Sequence, residues 1–183
     1  SHKRTNIQRL DSDDEIGHLS HKSYEMYQSL AYNYQKTKQL AEMDHLTKLA
    51  NRRYFQSHVA KALTLVHTTD QKEQHCILYI DLDNFKFVND KYGHKIGDAL
   101  LVQFAKSLTQ IEERLSLKHS VKVMSSRLSG DEFAVYLCGA DLDVTLIHHF
   151  CQNILQPLQA GFVSPVGTFP IHVSIGVATY PTT

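Results

Sequence analysis

The chain lacks an excess of either charge: Lys and Arg number 19, Asp and Glu number 19, and the formal net charge is zero. That balance supplies no global attraction to nucleic acid or to an anionic membrane surface, so nucleic acid is not expected as a partner. Cysteine is scarce. Cys76, Cys138 and Cys151 stand far apart with no C-x-x-C pair, which indicates neither a zinc ribbon nor a disulfide framework and points to a reducing compartment. No apolar run approaches the ~18 residues of a membrane-spanning helix, and none resembles a signal peptide. The sequence opens on SHKRTN without Met and therefore reads as an excised piece of a longer parent. Glycine and proline are thinly spread: after Gly17 the next glycine is Gly93, and the first proline is Pro157. The first half can thus hold long helices without a breaker. There are no internal repeats and no low-complexity tracts.

What remains is length and pattern. With 183 residues the chain can bury one domain and carry an extra element. From Ile16 a three-four spacing picks out Ile16, Leu19, Ser23, Met26, Leu30, Asn33, Thr37 and Leu40, five of the eight apolar, with Tyr24, Tyr27, Ala31 and Tyr34 beside them. The pattern predicts an amphipathic helix. It fits either a parallel coiled coil, with Asn33 as a register-setting polar residue, or one helix packed on its own domain. Ser12, Asp13, Asp14 and Glu15 supply an N-cap and dipole-favoured acids ahead of it. A second helix is expected from about Asn51 to Val66, then a buried strand in CILYIDLDNF and a helix from about Gly97 to Leu115. Strands around Val121–Leu128 and Phe133–Leu137, a helix over Asp143–Leu158 and a strand over Ile171–Ala178 complete the series. The order βαββαβ predicts an α+β fold, a ferredoxin-like, palm-type antiparallel sheet flanked by helices.

In that topology the third strand lies beside the first, which brings Asp81 and Asp83 towards Asp131 and Glu132 of RLSGDEFAVYL. Carboxylates gathered on one sheet edge repel unless something neutralises them. Hard oxygen donors suit Mg²⁺ or Mn²⁺ working with substrate phosphates; the plainer alternative is a pair of solvated turn acids. DNFKFVNDKYGHKIGD then places Lys86, Asn89, His94 and Asp98 in the loop and helix start after the first strand. Lys86 offers a point charge to a phosphate. Asn89 with Asp98 offers an amide and a carboxylate, the pairing that matches a guanine edge. Gly93 and Gly97 bracket a turn that leaves backbone amides near a helix N-terminus. His148 and His149 read as surface residues, and the remaining histidines show no metal-ligand spacing.

At these residues the sequence resembles the GGDEF domains of bacterial diguanylate cyclases. The resemblance runs from about Asp44 to Thr183 and rests on DHLTKLANRR, DLDNFKFVNDKYGHKIGDALL, RLSGDEFAVYL and VSIGVA, in the family's order. It implies a domain that binds GTP and, with two domains face to face as a homodimer, condenses two GTP into cyclic di-GMP and pyrophosphate. Carried onto this chain, Asp81 and Asp131 match metal-binding carboxylates, and Leu82 a backbone carbonyl ligand. Asp131 also matches the proton acceptor for the attacking hydroxyl, and Glu132 supports the metal site. Asn89 and Asp98 match the guanine readers, with His94 in the same loop. Lys86 matches a transition-state stabiliser, and Asn84 and Phe85 present amides to phosphates.

Three departures from the family pattern stand out. Ser129 occupies the first glycine position of the signature; it costs ~1 kcal/mol if a positive φ is needed there. Ser120 and Val123 replace the Arg and Asp of the inhibitory product site, so feedback through that motif is not expected. The family continues past SIGVA with a helix carrying a lysine and an arginine and then a last strand, whereas this sequence stops at TYPTT.

Residues 1–43 form the expected N-terminal linker and 44–183 the GGDEF domain. SDDEIGHLSHKSYEMY resembles the second helix of a HAMP relay, the alternative being a generic signalling helix. A HAMP relay implies a cytoplasmic domain of an inner-membrane receptor, with a sensor upstream and, in some members, a phosphodiesterase domain downstream. The expectation is an active cyclase. The alternatives are a degenerate GGDEF domain that binds GTP without turnover and another palm-type nucleotidyl transferase, which the guanine loop disfavours.

Overall fold

The computed structural model describes residues 15–66 and 73–181. The capping residues Ser12, Asp13 and Asp14 lie outside the described residues, as does most of the loop before the first long strand. The chain divides into two compact units, Ser1–Ala41 and Glu42–Thr183. The first is represented by α1 (Glu15–Glu42). Its apolar positions Ile16, Leu19, Met26, Leu30 and Leu40 are 66–72% exposed.

The second unit begins with β1 (Ala50–Asn51) and α2 (Arg52–Val66). Then follow β2 (Gln74–Leu82), α3 (Phe85–Tyr92), α4 (His94–Lys118), β3 (Val121–Ser129) and β4 (Glu132–Gly139). The series closes with α5 (Val144–Gln159), the short hairpin β5 (Phe162–Ser164) and β6 (Gly167–Phe169), and β7 (Val173–Tyr180). The main sheet has the order β1-β3-β4-β2-β7. Its four long strands pair antiparallel, in the predicted ferredoxin-like arrangement. The added β1 pairs parallel with β3, which makes the sheet mixed rather than wholly antiparallel.

Strand β4 sits at the centre, and its side chains divide by the period of two. Phe133, Val135 and Leu137 enter the larger core with α4 residues Leu101, Phe104 and Leu108. Ala134, Tyr136 and Cys138 meet Phe55 and Val59 of α2 on the other face. Both faces are covered, which is why this strand reads as an unbroken apolar run.

Sequence reasoning missed four elements, α3, β1, β5 and β6. Residues 85–92 are helical, not loop, and α4 starts at His94 rather than Gly97. Lys86 and Asn89 therefore ride on a helix. Asn84 enters it in the left-handed region at φ 59°, a conformation Asn tolerates, and Gly93 leaves it at φ 84°. The β5–β6 hairpin braces α3: Phe169 stacks on Tyr92 at 4.9 Å and meets Phe162 edge-on at 5.2 Å. β1 is too short to carry a periodic signal.

Candidate functional site

The β2–β4 ladder puts Asp81 directly opposite Glu132. One step on, the Leu82 N–H donates to the Asp131 carbonyl at 3.3 Å. The C-terminal end of β2 and the β3–β4 turn are thus one place. Asp83 is held there too, its N–H donating to the His172 carbonyl at 2.9 Å and its carboxylate accepting from the Ser174 hydroxyl at 2.9 Å. Burial, reinforced by the charges of Asp131, Asp83 and Glu132, pushes the Asp81 carboxyl above its ordinary value. The predicted convergence of carboxylates is therefore a feature of the fold. Its donors are carboxylate and carbonyl oxygens, which fit a hard divalent cation such as Mg²⁺ or Mn²⁺.

Ser129 is the last residue of β3, and the positive φ of the turn, 43°, falls on Gly130 instead. The expected strain at Ser129 does not arise. Its hydroxyl donates to the Glu132 carboxylate, a contact glycine could not make. Glu132 is held below the usual range first by that bond, then by one from the Tyr79 hydroxyl, with the charge of Arg52 adding to both. The Tyr79 hydroxyl is correspondingly pushed up, chiefly by its bond to Glu132.

Behind the turn lies a brace that sequence reasoning did not assign. Arg127 donates from Nε and Nη2 to the Gly130 carbonyl at 2.9 and 2.8 Å, and from Nη1 to Asp44 Oδ1 at 3.2 Å. That same Asp44 oxygen accepts from the Thr47 N–H at 2.8 Å and the Thr47 hydroxyl at 2.7 Å. Burial pushes the Asp44 carboxyl up, but the Thr47 bonds and the Arg127 charge outweigh it and leave it below the ordinary 3.8. The first quoted motif thus supports the third: DHLT is the far anchor of the guanidinium that grips the signature turn. Asp44, Thr47, Arg127, Tyr79 and Arg52 are the residues added to the sequence-predicted set; all lie inside stretches quoted from the sequence, Tyr79 in the buried strand CILYIDLDNF.

Beyond β2, Lys86 projects from α3 into solvent, while Phe85 and Val88 on its inner face enter the core. Asn84 caps this helix, its carbonyl accepting from Phe87 N–H at 2.9 Å. Asn89 is half-buried, and its side chain lies against the Cα of Gly97. A Cβ there would come within 3.0 Å of the Asn89 Cγ, and nearer still to its Oδ1, and within 3.2 Å of Phe85 Cζ. Gly97 is the seat of Asn89. Asp98, the next residue, is exposed, as is His94 at the start of α4. Asn89 and Asp98 thus belong to one local surface joining α3 to α4. Ser120 and Val123 lie at the start of β3, where the Ser120 N–H donates to Asp141 at 3.2 Å and Val123 packs against the core.

The family model "Diguanylate cyclase, GGDEF domain" matches residues 41–183. The biofilm architecture maintenance protein MbaA of Vibrio cholerae is 48% identical over 182 residues, covering 99% of this chain and 22% of that protein. The diguanylate cyclase TpbB of Pseudomonas aeruginosa is 37% identical over 146 residues, 77% of this chain and 30% of its own length. The chain thus spans less than a third of either relative. The solved GGDEF domain of Pseudomonas aeruginosa TpbB superposes with a TM-score of 0.63 at 35% identity, covering 76% of each chain. The coiled coil and GGDEF domain of Caulobacter crescentus DgcB, solved with c-di-GMP, gives 0.75 at 20% identity over 91% of this chain and 83% of that one. This last likeness concerns the fold.

Proposed function

This chain belongs to the diguanylate cyclase GGDEF-domain family, and from that membership we propose that it condenses two GTP into cyclic di-GMP and pyrophosphate as a homodimer of facing domains. The observation that carries the reading is the β2–β4 register, which sets Asp81 opposite Glu132 with Asp131 on the adjoining turn. A domain that only bound a nucleotide would have no need to gather uncompensated carboxylates.

In this reading the 3′-hydroxyl of one GTP attacks the α-phosphate of the other. A P–O bond forms, the bond to the β-phosphate breaks, and pyrophosphate departs; the reaction runs again in the reverse sense to close the ring. Asp131 takes the hydroxyl proton. Glu132, fixed by Ser129 and Tyr79, and Asp81 complete the anionic edge. Mg²⁺ or Mn²⁺ held by Asp81, Asp131 and the Leu82 carbonyl would neutralise phosphate charge and ease formation of the alkoxide. Lys86 steadies charge developing on the phosphates, and the amides of Asn84 and Phe85 meet phosphate oxygens. Asp98 accepts from the guanine N–H groups while the Asn89 amide, seated on Gly97, reads the neighbouring edge, with His94 bordering the base. The chain's work is positioning and charge compensation.

The exposed apolar stripe of α1 supports pairing of two copies through that helix, as the face-to-face reaction requires. No described helix is long and apolar enough to cross a membrane. We place the domain on the cytoplasmic side of an inner-membrane receptor, with a HAMP-like relay and sensor before it and room for a phosphodiesterase domain after it. The test is to incubate the full-length parent with GTP and Mg²⁺ and to resolve the products chromatographically. Cyclic di-GMP that disappears with Asp131→Ala supports the cyclase. GTP binding by calorimetry with no product would replace it with a nucleotide-sensing domain.

A further inference from the structure

The residues that the cyclase reading leaves unused gather at the other end of the same two strands. A cleft of about 950 Å³ opens between α2 and the β3–β4 face, with His58, Glu73, His75, Tyr136 and Cys138 in its wall. His75 stands directly opposite Cys138 in the β2–β4 ladder, so the two side chains share a face at cross-strand distance. Glu73 immediately precedes the strand. One donor atom from each of Glu73, His75 and Cys138 lies within 4.8 Å of the others, and the Cys138 thiol donates to Glu73 Oε2 at 3.3 Å.

The imidazole supplies a second, independent sign. His75 is 3% exposed. Its Nδ1 lies 2.6 Å from the Tyr136 hydroxyl, while its Nε2 is buried and without a partner among the described residues. A buried polar atom left unsatisfied costs stability and calls for an explanation. An Nδ1–H donated to Tyr136 fixes the tautomer with the lone pair on Nε2, the arrangement by which an outer-shell group prepares a metal-ligating histidine. Tyr136 stands two residues before Cys138 on β4 and on the same face, so the hydroxyl that orients His75 lies beside the thiol.

We propose that Glu73, His75 and Cys138 form a binding site for a borderline divalent transition-metal ion, Zn²⁺ by its donor set. Thiolate, imidazole and carboxylate together select against Mg²⁺, and three protein ligands leave a fourth position open to solvent or to a small molecule in the cleft. On binding, the Cys138 thiol releases its proton to solvent and the thiolate sulfur and the Glu73 carboxylate both turn to the metal. The ion ties β2 to β4 six residues before Asp81, roughly 20 Å along the strand from the carboxylate edge. Sequence spacing hid the site because Cys138 lies far from Glu73 and His75 in the chain and only the strand register unites them.

The site is tested without nucleotide. Co²⁺ is titrated into the chain as a spectroscopic stand-in for Zn²⁺. One equivalent is expected to give a tetrahedral ligand-field spectrum with a thiolate-to-cobalt charge-transfer band, discharged by Zn²⁺ and not by Mg²⁺. Cys138→Ser abolishes the charge-transfer band and the paired substitution Cys76→Ala, Cys151→Ala leaves it intact. Tyr136→Phe keeps the band but weakens Co²⁺ affinity about tenfold. A wild-type chain that develops no such band, or a band that survives Cys138→Ser, overturns the proposal. Should Cys138→Ser fail to fold, zinc-edge X-ray absorption on the Cys76→Ala, Cys151→Ala chain decides. One sulfur near 2.3 Å supports the site; a shell of oxygen alone refutes it.

Discussion

Removing the Arg127 guanidinium measures how firmly the signature turn is braced. The side chain is 12% exposed and its partner Asp44 16%, so their ion pair is mostly withdrawn from solvent. Its loss, with the part-buried hydrogen bond, is worth about 1 kcal/mol. The two bonds to the Gly130 carbonyl face water and add about 0.5 kcal/mol each. Arg127→Ala should therefore destabilise the domain by about 2 kcal/mol, which lowers the urea midpoint by about 1 M at a slope near 2 kcal/mol/M. Asp44→Ala costs about as much, since it also strands the Thr47 donors. The double variant should fall about 1 kcal/mol short of the sum. Arg127→Lys should recover less than half, because an ammonium cannot hold both acceptors in one plane. The pH dependence follows from Asp44. Its carboxyl lies below the unfolded 3.8, so its stabilisation is whole above that pH and is lost as pH falls through the lower, folded value. Asp44→Asn should remove that acid-side loss. An Arg127→Ala midpoint within experimental error of wild type, or additive single variants, would refute the brace.

If Mg²⁺ binds the carboxylate edge, a concentration near 100 times its dissociation constant should raise the melting temperature by about 5–10 °C. Asp81→Asn should abolish that shift, and an equal shift in the variant would place the ion elsewhere. Gly97→Ala drives a methyl into the Asn89 amide and should copy Asn89→Ala, weakening GTP binding by calorimetry while leaving ATP unchanged. The double variant should be no worse than either alone, and additive losses would separate the two residues. Leu30, 66% exposed in a single copy, should break dimers when changed to Asp, read by analytical ultracentrifugation; an unchanged sedimentation profile would take α1 out of the interface. Ser129→Gly deletes the donor to Glu132 without relieving backbone strain, and should therefore lower turnover rather than raise it.

The parts of the fold that sequence disclosed are those whose pattern is set by burial on a period. β4 announces itself because it is covered on both faces, and α4 because Leu101, Phe104 and Leu108 repeat along one side. α3 gives no helical signal because its composition is polar and its inner face amounts to Phe85 and Val88. Two residues do not make a periodic signal, and the cue was the pair of positive-φ residues, Asn84 and Gly93, that bracket it. The carboxylate cluster was legible because topology fixes it: once β2 and β4 are neighbours, Asp81 must approach the turn. The brace was not, because Asp44 and Arg127 meet over a gap of 83 residues. Nothing local distinguishes a structural arginine from a solvated one.

The signature turn combines two opposed demands, and the chain separates them in space. On the solvent side it assembles like charges around Asp81, whose carboxyl is pushed up first by burial and then by Asp131, Asp83 and Glu132; that arrangement favours a cation and weakens the cation-free domain. On its other side Arg127 holds the Gly130 carbonyl, and Asp44 and Thr47 hold Arg127. A turn under mutual repulsion stays put only if its backbone is tied, and Arg127, anchored by Asp44 and Thr47, supplies that tie. This division explains why a serine is admissible at the signature's first position. The conformation that demands glycine belongs to Gly130, and the position before it is free to carry a hydroxyl that orients Glu132. It also assigns distinct consequences to damage on each side. Loss of Asp81 or Asp131 should leave the metal-free domain as stable as before or more so while ending catalysis, whereas loss of Arg127 should cost stability and turnover together. Parallel measurement of unfolding midpoint and product formation across Asp131→Ala and Arg127→Ala separates the two; a stability loss in Asp131→Ala as large as that in Arg127→Ala would refute the division.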